Sequence, residues 1–156
     1  MKTTKLLLAS CLAYVLFISC KQWKVPAILI GKWESKQTVK VRTKENGKYI
    51  FINAPDSILF QFSIDENGNV NGHLGDAVFE NCKVFKNRGD LGKTLNLATD
   101  YLIKGNLKGT IFPSDPHINK KISAPFDVKN NKMEGSFFQM VGMDLYPVTG
   151  MELVKK

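Results

Sequence analysis

Chemically versatile side chains are scarce in this 156-residue chain, which has two histidines, His73 and His117, and three cysteines, Cys11, Cys20 and Cys82. Two imidazoles and scattered thiols, at no recognised ligand spacing, are too few for a zinc site. No nucleophile elbow, phosphate-cradling loop or calcium-loop pattern occurs either. With these parts missing, the chain is expected not to be an enzyme and to carry no metal or cofactor. It also lacks an apolar run of the about 20 residues that a bilayer-spanning helix needs. The longest run, Leu6 to Ser19, is shorter, and Lys21, Gln22 and Lys24 end it abruptly. Helical periodicity is absent from every window, so helices are not expected.

What is present begins with a three-part N-terminus. Met1 to Lys5 carries two lysines and no acid, and Leu6 to Ser19 supplies the apolar h-region of an export signal. The run Phe17-Ile18-Ser19-Cys20 that follows resembles a bacterial lipobox, with Phe17 where leucine is usual. That resemblance implies removal of residues 1–19 and acylation of Cys20. Leu8-Ala9-Ser10-Cys11 matches the letters more closely, but only Leu6 to Ser10 precedes Cys11, too short for an h-region. An uncleaved N-terminal anchor is the alternative reading. One acyl chain gives only reversible membrane binding, at about 0.8 kcal/mol per buried methylene, whereas two or three chains anchor stably. Residues 20–30 then form a lipidated tether, and Trp23 either lies at headgroup level or is the first packed residue of the domain. The expected location is the cell envelope, lipid-anchored. Lys21 replaces the aspartate that favours inner-membrane retention, which points to the outer membrane.

Without residues 1–19 the chain has 137 residues, a single domain by length, spanning 31–156 beyond the tether. Cys82 is then the one free thiol, so no intramolecular disulfide can form, and a lone cysteine usually behaves as a small buried apolar residue. The remaining 20 basic and 14 acidic residues give a net charge of +6. The lysines are spread through the chain rather than clustered, and an exported protein does not meet nucleic acid, so no nucleic-acid partner is expected. A solvated surface near anionic lipid accounts for the charge.

From Trp33 onward the chain reads as strands. Trp33, Ser35, Gln37, Val39 and Val41 alternate with Glu34, Lys36, Thr38, Lys40 and Arg42, the period of a half-buried strand with a charged outer face. Glu45 to Lys48 supplies a turn, Tyr49 to Asn53 a strand, and Pro55-Asp56 a break. Ile58, Phe60, Phe62 and Ile64 then share an apolar face, and Glu66 to Asn69 turns the chain again. Further strands are expected at 70–75, 77–86, 93–99, 101–112, 121–128, 133–141 and 150–154. Some eight to ten short antiparallel strands joined by polar turns predict an all-β up-and-down barrel or a sandwich.

One local pattern recurs about every 30 residues: Val70-x-Gly72-x-Leu74, Ile103-x-Gly105-x-Leu107 and Met133-x-Gly135-x-Phe137. Each glycine shares a face with apolar neighbours two residues away. Its bare Cα suits a strand that must bend or accept a bulky neighbour, although the same geometry leaves room for a ligand.

Gly31-Lys32-Trp33 opens the first long strand, and Thr99-Asp100-Tyr101 sits where two later strands join. In order and placement these resemble the G-x-W and T-D-Y signatures of lipocalins, eight-stranded up-and-down barrels that often bind small apolar molecules. The resemblance implies that Gly31 and Trp33 close one barrel end and that Thr99, Asp100 and Tyr101 form a turn beside it. These roles are structural. Lipocalins also place a helix after the barrel and an arginine near the last strand that packs on the tryptophan. The tail Gly150 to Lys156 has no arginine and no helical pattern.

Two other features read as turns. His117 lies in the loop Pro113-Ser114-Asp115-Pro116-His117, and Arg88-Gly89-Asp90 spells an integrin-binding tripeptide where Asn87 and Gly89 make a hairpin turn. His73 falls out of phase with Val70, Gly72 and Leu74 and is expected to face solvent. Two functions remain: an envelope lipoprotein that binds a small apolar or amphipathic ligand, or an anchored protein-interaction module such as a protease or lysozyme inhibitor. Ten phenylalanines can line a cavity or fill the barrel. The anchor itself is testable by palmitate labelling of the full chain in bacterial cells. Label is expected in the wild type and lost in Cys20→Ala; loss in Cys11→Ala alone would move the site to Cys11.

Overall fold

The computed structural model describes residues 23–46, 48–87, 99–111, 118–141 and 144–156. The signal 1–19, Cys20, the Arg88-Gly89-Asp90 turn, all but Thr99 of the strand expected at 93–99, and His117 lie outside the described residues. Eight strands form one closed antiparallel barrel: β1 (Gly31–Glu45), β2 (Lys48–Ile64), β3 (Asn69–Leu74), β4 (Ala77–Lys86), β5 (Tyr101–Gly109), β6 (Ile118–Lys129), β7 (Lys132–Val141) and β8 (Asp144–Lys155). Each strand pairs with the next in sequence, and β8 returns to β1. This is the up-and-down barrel that the alternation predicts.

One expected boundary is corrected. Pro55-Asp56 does not end a strand, and Tyr49 to Ile64 belongs to the single strand β2. Thr38 pairs with Ser57 and Lys40 with Asn53, so residues 54–56 form a bulge opposite Val39. A bulge is where a proline is tolerated, because its missing N–H costs no ladder bond. Three residues opposite one keep the β2 phase, with Asn53 and Ser57 both exposed, and the alternation on β1 is unbroken, with Trp33, Gln37 and Val39 buried and Lys36 and Thr38 exposed. A second bulge on β4, at Asn81 with φ 52°, puts Phe79, Cys82 and Val84 all on the inner face.

Turn chemistry sets the strand ends. Asn130 and Asn131 both have positive φ (52° and 60°), the geometry of a tight hairpin joining β6 to β7. Asp65 organises the β2–β3 turn, its carboxylate accepting from Asn67 N (2.9 Å), Asn69 N (2.8 Å) and Asn69 Nδ2 (2.7 Å). The hydrogen bond from the Asn69 side chain, foremost among these, holds the Asp65 carboxyl below its ordinary pKa.

The seam between β1 and β8 is closed in an unusual way. Backbone pairing joins Trp33 to Lys155 and Glu34 to Val154. Higher up, Gln37 Nε2 donates to the Glu152 carbonyl (2.9 Å) and Thr149 Oγ1 to the Thr38 carbonyl (2.9 Å). Both side chains are buried, so these bonds replace ladder bonds and leave neither polar group unsatisfied.

The three recurring glycines mark close approaches between strands. A Cβ at Gly72 would overlap the Gln61 carbonyl and lie 2.5 Å from Phe62 Cβ. At Gly105 it would overlap the Cys82 thiol, and at Gly135 it would fall 2.7 Å from Phe126 Cβ and overlap the Pro125 carbonyl. The apolar residues flanking each glycine are buried, from Val70 and Leu74 to Met133 and Phe137. The glycines therefore serve strand contact rather than room for a ligand. Gly72→Ala is expected to cost about 1–3 kcal/mol in a urea melt, because backbone as well as side chain must shift. Gly150, with nothing within 4 Å of its added Cβ, provides the control. Gly150→Ala should be neutral or stabilising by up to about 1 kcal/mol. Equal melts would contradict this packing.

Candidate functional site

An up-and-down barrel presents two ends and an interior, and the ends differ sharply here. At the end where β1, β3, β5 and β7 begin, the chain before β1 folds into the barrel mouth. Leu29 N donates to the Pro26 carbonyl (2.9 Å) and Ile30 N to the Ala27 carbonyl (3.2 Å), making a turn that points Val25 and Leu29 inward. Val25 is nearly buried and Leu29 wholly so, and Trp23 packs against the same core. Part of the segment read as a tether is thus core.

Trp33 lies beneath this turn with no exposed surface, and its indole Nε1 donates to the Leu29 carbonyl at 2.8 Å. Lys155 covers it from the last strand, its Nζ 5.6 Å from the ring centroid. That ammonium also donates to the Ile28 carbonyl (3.1 Å) and the Ala27 carbonyl (3.4 Å). Gly31 makes the arrangement fit, since its φ is 130° and a Cβ there would stand 2.9 Å from Lys155 Cε. The penultimate residue, a lysine, therefore packs on Trp33, as the arginine implied by the resemblance to lipocalins would. Its mark in the sequence is a cation at the end of a strand that pairs with the Trp33 strand.

Thr99, Asp100 and Tyr101 lie at this same end of the barrel, at the start of β5. Thr99 Oγ1 accepts from Asn87 Nδ2 (2.9 Å), Asn87 N donates to the Asp100 carbonyl (2.8 Å), and Asp100 N donates to Asp127 Oδ1 (2.6 Å). Tyr101 stacks obliquely on Phe126, ring centroids 5.6 Å apart, and its hydroxyl pKa is raised by burial and by Asp100 and Asp127. The tripeptide ties the ends of β4, β5 and β6 together. Both signature motifs thus lie at one end.

Above the sealed end the barrel is filled by rings. Phe60 and Phe62 from β2, Phe79 from β4 and Phe137 from β7 sit with centroids 5.4 to 6.0 Å apart, mostly tilted or edge-on. Phe60 meets Phe137 across the interior, because β2 and β7 lie three strands apart around the ring. At the opposite end β1 and β2 run past β3, which stops at Leu74 opposite Phe60. A long two-stranded hairpin therefore stands beside that end.

The remaining candidates are structural. Cys82 is buried as expected; its Sγ contacts the Asn106 carbonyl (3.3 Å), and burial pushes the thiol pKa up. Such a thiol is a poor nucleophile. His73 is half-buried on the outward phase, with Nδ1 donating to the Gly75 carbonyl (3.0 Å). Among the described residues no group of three or more potential ligands comes together for a metal. A shallow groove of about 130 Å³ lies on the outer wall between β7 and β8. That is small beside the about 300 Å³ or more typical of ligand pockets. Compared with protein-family models, curated proteins and solved structures, the chain matches none of them.

Proposed function

We propose that the chain is a lipocalin-like, lipid-anchored protein of the cell envelope that binds a small apolar or amphipathic ligand without catalysis. The anchor is Cys20, the membrane the outer one, and nucleic acid is not a partner. The observation that carries the reading is the asymmetry of the barrel. One end is plugged by Leu29, Trp33 and Lys155, so a ligand enters from the other, beside the β1–β2 hairpin, and rests on the Phe60, Phe79 and Phe137 rings. A non-catalytic role accords with a buried, protonated Cys82 and a His73 tied into its own turn.

A second reading has its own support. The ring-filled middle leaves the far end for a ligand, and a hairpin whose β2 edge before Phe60 has no ladder partner on β3 among the described residues suits a protein partner such as a protease or lysozyme. Titration of the purified protein with an apolar dye that fluoresces on leaving water separates the two. Saturable binding of one dye per chain, displaced by a fatty acid, is expected. A folded protein that shows no saturable binding would contradict the ligand reading and favour the protein partner.

A further inference from the structure

We infer that the sealed end of the barrel, at the corner where β8 meets β1, rests directly on an anionic lipid surface. The distance argument rests on the Cys20 anchor proposed above; the surface chemistry does not. Ile28 and Val154 are large apolar residues left 41% and 42% exposed at this corner. Both belong to this corner: the Ile28 carbonyl accepts from Lys155 Nζ, and Val154 precedes that lysine on β8. Around them stand the exposed lysines Lys32, Lys129, Lys132 and Lys156. Val154 pairs with Lys132 across β7, and Lys156 N donates to the Lys32 carbonyl at 3.0 Å.

The charge arrangement points to an anion. Lys129 and Lys132 face each other directly across the Asn130-Asn131 hairpin. Like charges in that position repel, and a phosphate bearing headgroup between them relieves the repulsion. The acids here are engaged or stand one row further from the barrel end: Asp127, two residues before Lys129 on β6, pairs with Glu134, and its Oδ1 accepts from Asp100 N. Glu34 is held by Lys32 (3.0 Å) and Lys156 (3.2 Å), and its pKa is lowered by them. Glu134 and Glu152 oppose each other two residues further along β7 and β8, roughly 7 Å from the Lys132–Val154 pair. Asp65 and Glu66 share this end but sit on the β2–β3 turn, on another side of the ring. At this corner the row nearest the barrel end, Lys129, Lys132 and Val154, is therefore cationic and apolar, while the acids of β6, β7 and β8 stand a row further from that end.

The short leader sets the distance. Only Lys21 and Gln22 separate Cys20 from Trp23, a reach of at most about 11 Å over three Cα steps. Trp23 packs on the barrel core, so lipid on Cys20 holds this end against the bilayer. The far end, with the β1–β2 hairpin, then points into water.

The test uses mature protein purified from bacterial membranes, carrying an environment-sensitive fluorophore on Ile28→Cys or, at the far end, on Asp76→Cys. Buried Cys82 stays unlabelled in the native state. In vesicles containing brominated phosphatidylglycerol, quenching at position 28 should exceed that at 76 several-fold. It should fall in vesicles of brominated phosphatidylcholine alone, and in the variant Lys129→Glu/Lys132→Glu. Equal quenching at the two positions, greater quenching at 76, or indifference to phosphatidylglycerol would overturn the inference. Palmitate measured on the same preparation separates the two claims. Palmitate with equal quenching rejects the orientation and keeps the anchor, whereas selective quenching at 28 without palmitate rejects the anchor and keeps the lipid contact.

Discussion

The indole N–H of Trp33 is a donor with no access to water, and a buried donor left without a partner costs about 1–3 kcal/mol. Its partner is the Leu29 carbonyl, which exists at that point only because residues 26–30 turn back over the barrel end. The same turn presents the Ala27 and Ile28 carbonyls to Lys155, and Lys155 lies across the ring. One side chain thus couples the segment before β1 to the last residues of β8. The first and last strands of an up-and-down barrel must find each other without a connecting turn, and here their meeting point is the Trp33–Lys155 pair. Above that point the buried Gln37 and Thr149 complete the seam by side-chain bonds.

Closing eight strands around a small interior demands curvature, and the chain obtains it from a few positions. Gly72, Gly105 and Gly135 let neighbouring strands approach more closely than any Cβ would permit. The bulges at residues 54–56 and at Asn81 change direction while keeping apolar residues inward. The interior is then narrow enough for phenylalanines from β2 and β7 to touch. That narrowness fills the middle of the barrel with rings rather than leaving it hollow.

Much of this was legible in the sequence. Period-two alternation from Trp33 to Val39 and from Ile58 to Ile64 gave the strand faces, because burial on one side leaves a clean signature. The spaced glycines gave the close contacts, and the standing of Cys82 as a lone thiol its burial. What misled was proline at position 55, which reads as a break in one dimension and is a tolerated bulge once a partner strand runs alongside. The seam bonds of Gln37 and Thr149 join residues more than 100 positions apart, and no local pattern records such a pair. Lys155 was invisible for a related reason. A lysine at a strand end normally reads as a solvated charge, and only the closure of the barrel puts Trp33 beneath it. The projecting hairpin was likewise hidden, since its length past β3 depends on where β3 stops.

The claim at the centre of this account is that Trp33 is locked inside a closed barrel end. The chain has only two tryptophans, Trp23 and Trp33, so two indole N–H resonances suffice to test it. Hydrogen exchange followed by NMR in heavy water should show one indole exchanging quickly. The other should be protected nearly to the level of global unfolding and absent from Trp33→Phe, since a buried, hydrogen-bonded donor exchanges only when the core opens. Rapid exchange of both indoles in the folded protein would mean that the barrel end is open, contradicting the account.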